Sequence, residues 1–243
     1  MKSLIQTNKI KTLCLISILF IISCSESENE TNNSYQKQSL LSVLFVQKSP
    51  EHVASSIQAY QIAKIMLEKS LKDIGSSASI FQNNNYEDLP PAIILDIDET
   101  VLDNSPYQAR AIKGGFSYPR DWIKWVNEAS AANVPGAKEF IEYAISRDIN
   151  IFYISNRVFE LEDATRVNFK KNGIIISEPK NEDRILLRNE NNWTSDKTER
   201  IKLVSKNYRI IMIVGDQLSD FIGSTSDLSL KEQNDLSLKK YKN

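Results

Sequence analysis

The chain has 243 residues, of which 41% are hydrophobic and 25% are charged, and its formal net charge is −1 at pH 7. This length fits one large domain or a core domain with an added cap, and the composition is that of an ordinary globular protein. The near-neutral charge argues against a nucleic-acid scaffold, which would show a basic surface. The single histidine, His52, excludes a multi-histidine metal centre, and two cysteines near the N-terminus exclude a disulfide framework in the body of the protein.

The N-terminus predicts a lipoprotein signal peptide over residues 1–23. Three lysines precede the apolar stretch Leu13–Ile22, which is too short to span a bilayer comfortably. The stretch ends in Ile21–Ile22–Ser23–Cys24, which resembles bacterial lipoprotein signals, whose cysteine becomes the lipidated first residue. Cys24 would then anchor the protein on a membrane of the bacterial envelope, and we expect the outer membrane, on its periplasmic or outer face. An ordinary signal peptide or a short anchor would look similar.

The first part of the mature chain predicts a tether followed by helices. Residues 24–39 are polar and acidic, which indicates a disordered tether between the lipid and the folded domain. In residues 40–91, apolar residues recur at helical spacing on both sides of a break at Pro50, and this pattern predicts N-terminal helices. A Ser/Asn-rich connector leads from these helices to the first strand.

That strand is predicted by the apolar run Ala92–Leu95, which is followed directly by Asp96 and Asp98. Residues two apart on an extended chain point to the same side. We therefore expect both carboxylates to face one small volume at the carboxyl edge of a parallel sheet, where such sheets bind ligands. Because neighbouring carboxylates repel, the pair is costly without a bound cation or a shared proton. An acidic turn after a strand would give the same pattern.

Residues 103–135 are predicted to form a mainly helical cap that is inserted after this strand. The segment is rich in aromatic residues, including Tyr107, Trp122 and Trp125. Aromatic crowding beside a catalytic strand suggests a cap that excludes water and stacks on a planar substrate group. The alternative is that these rings form only the core of the cap.

The remaining chain alternates strands and helices, which predicts a parallel α/β sheet. Two further buried strands, Ile151–Ile154 and Ile210–Val214, also end in polar groups. These polar groups are Ser155, Asn156 and Arg157 after the first, and Asp216 and Asp220 after the second.

Three shorter elements complete the prediction. Short strands are expected at Ile174–Ile176 and at Ile185–Leu187. A helix is expected over Ser195–Asn207, with Ser195 as its N-cap. Lys197 would lie in that helix, where a solvent-exposed lysine in a charge run is a serious alternative to a site residue.

Acidic pairs, a hydroxyl and a lysine together suit a phosphoryl site. Mg²⁺ prefers carboxylate oxygens, a hydroxyl and an ammonium can hold phosphate oxygens, and a carboxylate can be the nucleophile. With these residues the sequence resembles the haloacid-dehalogenase (HAD) superfamily, and within it the lipoprotein e family of class C acid phosphatases and 5′-nucleotidases. The segments that carry the resemblance follow the family's order within residues 40–223: Asp96–Tyr107, Trp122–Val126, Val134–Ala137, Tyr153–Arg157 and Val214–Phe221.

The resemblance implies a HAD-like, Rossmannoid parallel sheet flanked by helices, with a small, mainly helical cap. It also implies a Mg²⁺-dependent acid phosphatase that hydrolyses phosphomonoesters, nucleoside 5′-monophosphates among them, through an aspartyl-phosphate. Asp96 would be the nucleophile. Asp98 would protonate the leaving oxygen and then activate the attacking water.

Other roles implied by the resemblance concern binding. The phosphoryl group would be bound by Ser155, Asn156 and Lys197. The metal would be held by four aspartates: Asp96, Asp98 through its backbone carbonyl, Asp216 and Asp220. The substrate pocket would include Tyr107, Trp122, Trp125 and Arg157.

The C-terminus departs from the family, which usually continues to a last strand and an aromatic terminus near the substrate. Residues 224–243 are instead polar and predict a surface helix, so a truncated chain and a shortened variant both stay open. Two other functions also stay open: phosphotransfer to an acceptor alcohol through the same intermediate, and non-catalytic binding of a nucleotide or phosphate by a surface lipoprotein. A homodimer is compatible with the sequence, which does not itself give the oligomeric state.

Overall fold

The computed structural model describes residues 39–82, 85–179 and 182–240. The predicted signal peptide, Cys24 and the tether up to residue 38 lie outside these ranges. Within them, no helix has the length and apolar character needed to cross a bilayer.

The described part of the chain folds into a parallel sheet with helices on both faces, as expected. The helices are α1 (39–48), α2 (Pro50–Lys72), α3 (Ser105–Gly114), α4 (Trp122–Glu128), α5 (Ala137–Ser146), α6 (Glu162–Asn172), α7 (Thr198–Ser205), α8 (Ser219–Ile222) and α9 (Leu230–Lys240). The strands are β1 (Pro91–Leu95), β2 (Leu102–Asp103), β3 (Ala132–Asn133), β4 (Asn150–Val158), β5 (Ile185–Arg188) and β6 (Arg209–Val214). The main sheet has the order β5-β4-β1-β6, and all of its pairs are parallel.

Strand β1 lies in the middle of this sheet and is buried on both faces. Ile93 and Leu95 point into one core layer with residues of α2, α5 and α6, such as Leu67 and Phe140. Ala92 and Ile94 point into the other layer, with α7. Burial on both faces explains why the strand is a continuous apolar run. Because β1 pairs parallel with β4 and with β6, the carboxyl ends of the three strands lie side by side.

Helix α2 begins where the sequence predicts a break. The Ser49 hydroxyl accepts hydrogen bonds from the backbone N–H groups of Glu51 and His52, and Pro50 occupies the first turn. Further along α2, the buried Tyr60 hydroxyl donates to the Thr100 carbonyl at 2.6 Å. This bond ties the N-terminal helices to the turn that follows β1.

Strands β2 and β3 pair antiparallel and form the base of the inserted segment. Helices α3 and α4 lie between them in the sequence, so the insertion is mainly helical. Arg110 of α3 and Glu128 of α4 form an ion pair at 2.7 Å.

One predicted strand was wrong, and one predicted helix begins later than expected. Residues Ile174–Ile176 do not form a strand. Ile174 is buried in the core, but the Ile175 carbonyl accepts a hydrogen bond from the Tyr153 hydroxyl at 3.2 Å, and β5 takes the place beside β4. The helix predicted over Ser195–Asn207 is α7, which begins at Thr198, and Asp196 rather than Ser195 accepts the Thr198 N–H, at 2.9 Å.

The C-terminal helix α9 was predicted correctly as a surface helix. Leu230 and Leu238, two of its apolar residues, are exposed. An ion pair on its surface joins Lys231 and Asp235 at 2.7 Å.

Candidate active site

Polar residues at the carboxyl ends of β1, β4 and β6 line one cavity of about 300 Å³, but Asp216 is not among them and lines a neighbouring cavity with Tyr60 and Thr100. Asp96 and Asp98 come from the segment after β1, Ser155 comes from β4, and Lys197 precedes α7. The rest of the lining consists of Glu99, Asn104, Tyr107, Gln108, Tyr118, Trp122, Asn156, Arg157, Gln217 and Asp220.

Asp96 and Asp98 reach this cavity by a different route from the expected one. Strand β1 ends at Leu95, and the chain turns immediately, with Glu99 in the left-handed region at φ 59°. The two carboxylates therefore do not share a face of an extended strand. They enter the cavity from different points of a turn and have different partners.

Asp96 belongs to a cluster of three carboxylates. One oxygen each from Asp96, Asp216 and Asp220 lies within 4.8 Å of the others. Burial raises the pKa of Asp96 to about 7, and the Lys197 ammonium only partly offsets this effect. Asp216 is more exposed, but partial shielding from water and the Asp220 carboxylate raise its pKa to about 6. Three hard oxygen donors at this spacing fit a divalent cation such as Mg²⁺.

Lys197 is buried beside this cluster, which excludes the solvent-exposed alternative. Its ammonium donates to Asp96 and, at 2.7 Å, to Asp220. Burial lowers the pKa of Lys197, but the two carboxylates outweigh burial and the net shift is upward. A permanent positive charge therefore faces the cavity next to Asp96.

Gly215 makes room for Asp220. A Cβ atom at Gly215 would lie 2.3 Å from Asp220 Oδ2, a distance that no side chain tolerates. The same carboxylate oxygen accepts the Gln217 N–H at 3.0 Å. The glycine that ends β6 thus lets the carboxylate pack against the backbone and point to the cluster.

Asp98 lies apart from the acidic cluster. Its carboxylate accepts hydrogen bonds from Arg157, at 2.8 Å from Nη2 and 3.1 Å from Nε, and from Asn104 Nδ2 at 2.8 Å. The Ser155 hydroxyl is 3.3 Å from the other oxygen. Its side chain is thus engaged away from the cluster, and only the backbone carbonyl keeps the predicted metal role.

Arg200 is a site residue that the sequence did not reveal. It is fully buried, and its guanidinium donates to the Ser155 carbonyl at 2.5 Å and to Asn156 Oδ1 at 2.8 Å. It also donates to the Thr194 carbonyl at 3.1 Å, so it joins the end of β4 to the segment that carries Lys197. The signal was the spacing of Lys197 and Arg200, three apart and so on one helical face, within what looked like an exposed charge run.

Glu99 is another residue that the sequence did not single out. It lines the cavity, and burial, with the Asp103 and Asp98 carboxylates, raises its pKa to about 8. The backbone of Glu99 is fixed as well, because its N–H donates to the Leu102 carbonyl at 2.8 Å.

The predicted aromatic pocket is formed in part. Tyr107, Tyr118 and Trp122 line the cavity, and the Trp122 ring packs edge-on against Tyr107 with ring centroids 5.1 Å apart. Trp125 is not part of the cavity lining. It is 3% exposed, and its indole N–H donates to Asn104 at 2.8 Å.

Comparison with known proteins identifies related sequences. The family described as HAD superfamily, subfamily IIIB (acid phosphatase) matches residues 23–239. Among curated proteins, the stem 28 kDa glycoprotein of Glycine max is 30% identical over 138 residues, which are 54% of this chain and 52% of that protein. Acid phosphatase 1 of Solanum lycopersicum is 24% identical over 186 residues, 72% of this chain and 70% of that protein. The chain thus spans about half the length of the first of these relatives.

Solved structures include a similar fold. The class C acid phosphatase from Bacillus anthracis with tungstate bound superimposes with a TM-score of 0.72 at 34% identity. The alignment covers 85% of this chain and 79% of that chain.

Proposed function

The chain belongs to subfamily IIIB of the HAD superfamily, the acid phosphatases, and on that premise we propose that it hydrolyses phosphomonoesters. The family comparison confirms the resemblance drawn from the sequence. The observation that carries the proposal is the convergence of Asp96, Asp98, Ser155 and Lys197 on one cavity.

In the proposed reaction, an Asp96 oxygen attacks phosphorus while the bond from phosphorus to the alcohol oxygen breaks. Asp98 gives its proton to that oxygen, so the leaving group departs as a neutral alcohol. Water then attacks the aspartyl-phosphate, Asp98 takes the proton of the water, and phosphate and the free Asp96 carboxylate are regenerated. Lys197 and Ser155 hold phosphoryl oxygens, where their charge and hydroxyl dipole stabilise the transition state.

The metal in this proposal is Mg²⁺. Asp96, Asp216 and Asp220, with the Asp98 backbone carbonyl, would hold it, because carboxylate and carbonyl oxygens are its usual protein ligands. When bound it would offset the negative charge of the phosphoryl group.

The test is hydrolysis of p-nitrophenyl phosphate by the purified chain, with Mg²⁺ and with EDTA. We expect activity with Mg²⁺, loss in EDTA and recovery when Mg²⁺ is restored. Asp96→Asn should be inactive, whereas Asp88→Asn, at an exposed carboxylate outside the cavity, should keep wild-type activity. Activity in EDTA or in Asp96→Asn would contradict the mechanism. Binding of phosphate without turnover would favour the non-catalytic alternative, and a phosphorylated added alcohol would favour phosphotransfer.

We further propose nucleoside 5′-monophosphates as one substrate class. A second cavity, of about 600 Å³, shares Tyr107, Gln108 and Tyr118 with the catalytic cavity. Its volume lies within the usual range of ligand pockets, and its aromatic lining suits a planar base. Filling it with Ala111→Phe should lower kcat/KM for a nucleoside monophosphate and leave kcat/KM for glycerol phosphate unchanged. Equal effects on both esters would contradict this role.

Lipid anchoring at Cys24 and an outer-membrane location form a separate proposal, supported by the sequence of residues 1–24. Cys24→Ala should move the protein from the membrane fraction of a bacterial host to the soluble fraction. Retention of the variant in the membrane would contradict it. The homodimer stays a prediction, which light scattering of the purified protein would test.

A further inference from the structure

Three side chains donate hydrogen bonds to the Asp98 carboxylate: Ser155, whose hydroxyl is 3.3 Å away, and two arms that reach it from the interior. The first arm is Arg157, whose Nε and Nη2 both donate to it. The second arm is Asn104, which donates its amide N–H at 2.8 Å. Neither Asn104 nor Arg157 is more than 2% exposed, so both arms act from the interior.

Arg157 is itself fixed. Its third nitrogen, Nη1, donates to Thr165 Oγ1 at 3.0 Å, and the Thr165 hydroxyl donates to the Leu161 carbonyl at 2.9 Å. All three guanidinium nitrogens therefore have protein partners. Arg157 also lines the cavity, as predicted, and one N–H of each of its nitrogens is directed to Asp98 or Thr165.

Asn104 is fixed in the same way from the cap. Its Oδ1 accepts the Trp125 indole N–H at 2.8 Å, which assigns the amide orientation and directs the Nδ2 group to Asp98. Trp125 lies in α4 and Asn104 precedes α3, so the cap contributes to the position of a carboxylate that belongs to the core.

We infer that Arg157 and the Asn104–Trp125 pair are positioning residues for proton transfer at Asp98, an inference that rests on the proposed hydrolysis. The proton moves from Asp98 to the alcohol oxygen as the bond to phosphorus breaks, and back to Asp98 from the attacking water. Transfer requires Asp98 within hydrogen-bond distance of both oxygens in turn. Because the two arms hold the carboxylate in one rotamer, Asp98 does not have to reorient before each proton transfer.

Leaving-group dependence separates this role from a purely structural one. Protonation matters most for a poor leaving group, such as an alkyl alcohol, and least for p-nitrophenol. The rate constant kcat/KM includes every step up to departure of the alcohol, so it reports the transfer directly.

Arg157→Lys should lower kcat/KM for an alkyl phosphate by about 100-fold and for p-nitrophenyl phosphate by less than about 10-fold. Inhibition by inorganic phosphate should not change if Arg157 acts by placing Asp98 and not by binding the phosphoryl group. Trp125→Phe removes the indole N–H that orients Asn104. It should change the ratio of the two kcat/KM values in the same direction by a smaller factor. The matched control is Arg166→Lys on α6, an arginine paired with Glu162 and Glu178 outside the cavity, which should leave the ratio unchanged.

Equal losses for both esters in Arg157→Lys, or weaker phosphate inhibition, would overturn the inference while leaving the hydrolase proposal intact. If Arg157→Lys fails to fold, an unchanged ratio in Trp125→Phe would overturn it. A wild-type chain that hydrolyses neither ester would overturn both proposals.

Discussion

The two halves of the cavity differ in charge although their central carboxylates are two residues apart. Asp96 lies with Asp216, Asp220 and one lysine, so its half carries excess negative charge. The Asp98 carboxylate is paired with one arginine, and Glu99, the other carboxyl group nearby, has its pKa raised to about 8, so we call this the balanced half. An excess of carboxylates needs a cation, and a balanced, hydrogen-bonded carboxylate needs none.

The difference in charge supports the proposed division of catalytic roles. Two carboxylates in contrasting surroundings commonly take distinct catalytic roles. The acidic half suits metal binding and nucleophilic attack, and the balanced half suits proton transfer. Because the roles are separate, changes to the two halves should have different kinetic signatures.

The largest effect is expected from the two carboxylates themselves. Asp96→Asn should lower turnover of every ester by roughly 1,000-fold or more, because it removes the proposed nucleophile. Asp98→Asn should slow formation of the phosphoenzyme much less with p-nitrophenyl phosphate than with an alkyl phosphate. Rapid-mixing kinetics on both esters would measure this, and identical profiles for the two variants would remove the distinction between the halves.

A smaller loss is expected when the lysine of the acidic half is removed. Lys197→Met should lower kcat by about 100- to 1,000-fold, as when a preorganised donor to a developing charge is lost. The control is Lys202→Met on α7, an exposed lysine outside the cavity that pairs with the exposed Glu199 and lies over the Phe81 ring. Steady-state assays in saturating Mg²⁺ make the comparison, and equal activity of the two variants would contradict a catalytic role for Lys197.

The acidic half should also make stability depend on pH and on metal. Without metal, the pKa values of Asp96 and Asp216, about 7 and about 6, lie above the 3.8 of a free aspartate. The folded state therefore binds more protons than the unfolded state between about pH 4 and pH 7, and the free energy of unfolding should fall as pH rises through that window.

Metal binding displaces these protons, so Mg²⁺ should raise the Tm more at pH 7 than at pH 5. At 100 times its Kd the cation contributes about 2.7 kcal/mol. Thermal denaturation at both pH values, with and without Mg²⁺, provides the measurement. A metal-free stability that stays constant from pH 4 to pH 7 would contradict the described acidic cluster.

The smallest effect is expected from the backbone that supports Asp220. Gly215→Ala should cost about 1–3 kcal/mol through overpacking and should weaken Mg²⁺ binding, since the new methyl group meets the Asp220 carboxylate. Gly75→Ala is the control, because its Cβ would have no neighbour within 4 Å. Urea denaturation and Mg²⁺ titration of both variants test this, and matching behaviour would mean that Asp220 can move without cost.

The acidic half could largely be predicted from the sequence, because its residues directly follow apolar strands. The runs before Asp96 and Asp216 are local signals, and parallel strands bring their carboxyl ends together. The extended-strand argument for Asp98 failed because β1 ends at Leu95. The carboxylate still reached the cavity, but through a turn.

The balanced half could be predicted only in part. The sequence indicated Asp98, Ser155 and Arg157 as site residues, but not which side chains hold Asp98, because these partners come from distant parts of the chain. Trp125 resembled a pocket aromatic, and only the fold brings its N–H to Asn104. Arg200 looked exposed within a charged helix, yet it lies buried against Ser155. The strand predicted at Ile174–Ile176 failed for a related reason: its carbonyl bonds a tyrosine hydroxyl from β4 instead of a neighbouring strand.

The most direct test is to locate the phosphoryl group on the enzyme. Asp98→Asn, mixed rapidly with labelled p-nitrophenyl phosphate in Mg²⁺ and quenched in acid, should accumulate a phosphoenzyme, because the leaving group needs no acid but water still needs a base. Peptide mapping should place the label on Asp96. Label on another residue, or turnover of the wild-type chain with no labelled enzyme in any quench, would contradict the division of the cavity into a nucleophilic half and a proton-transfer half.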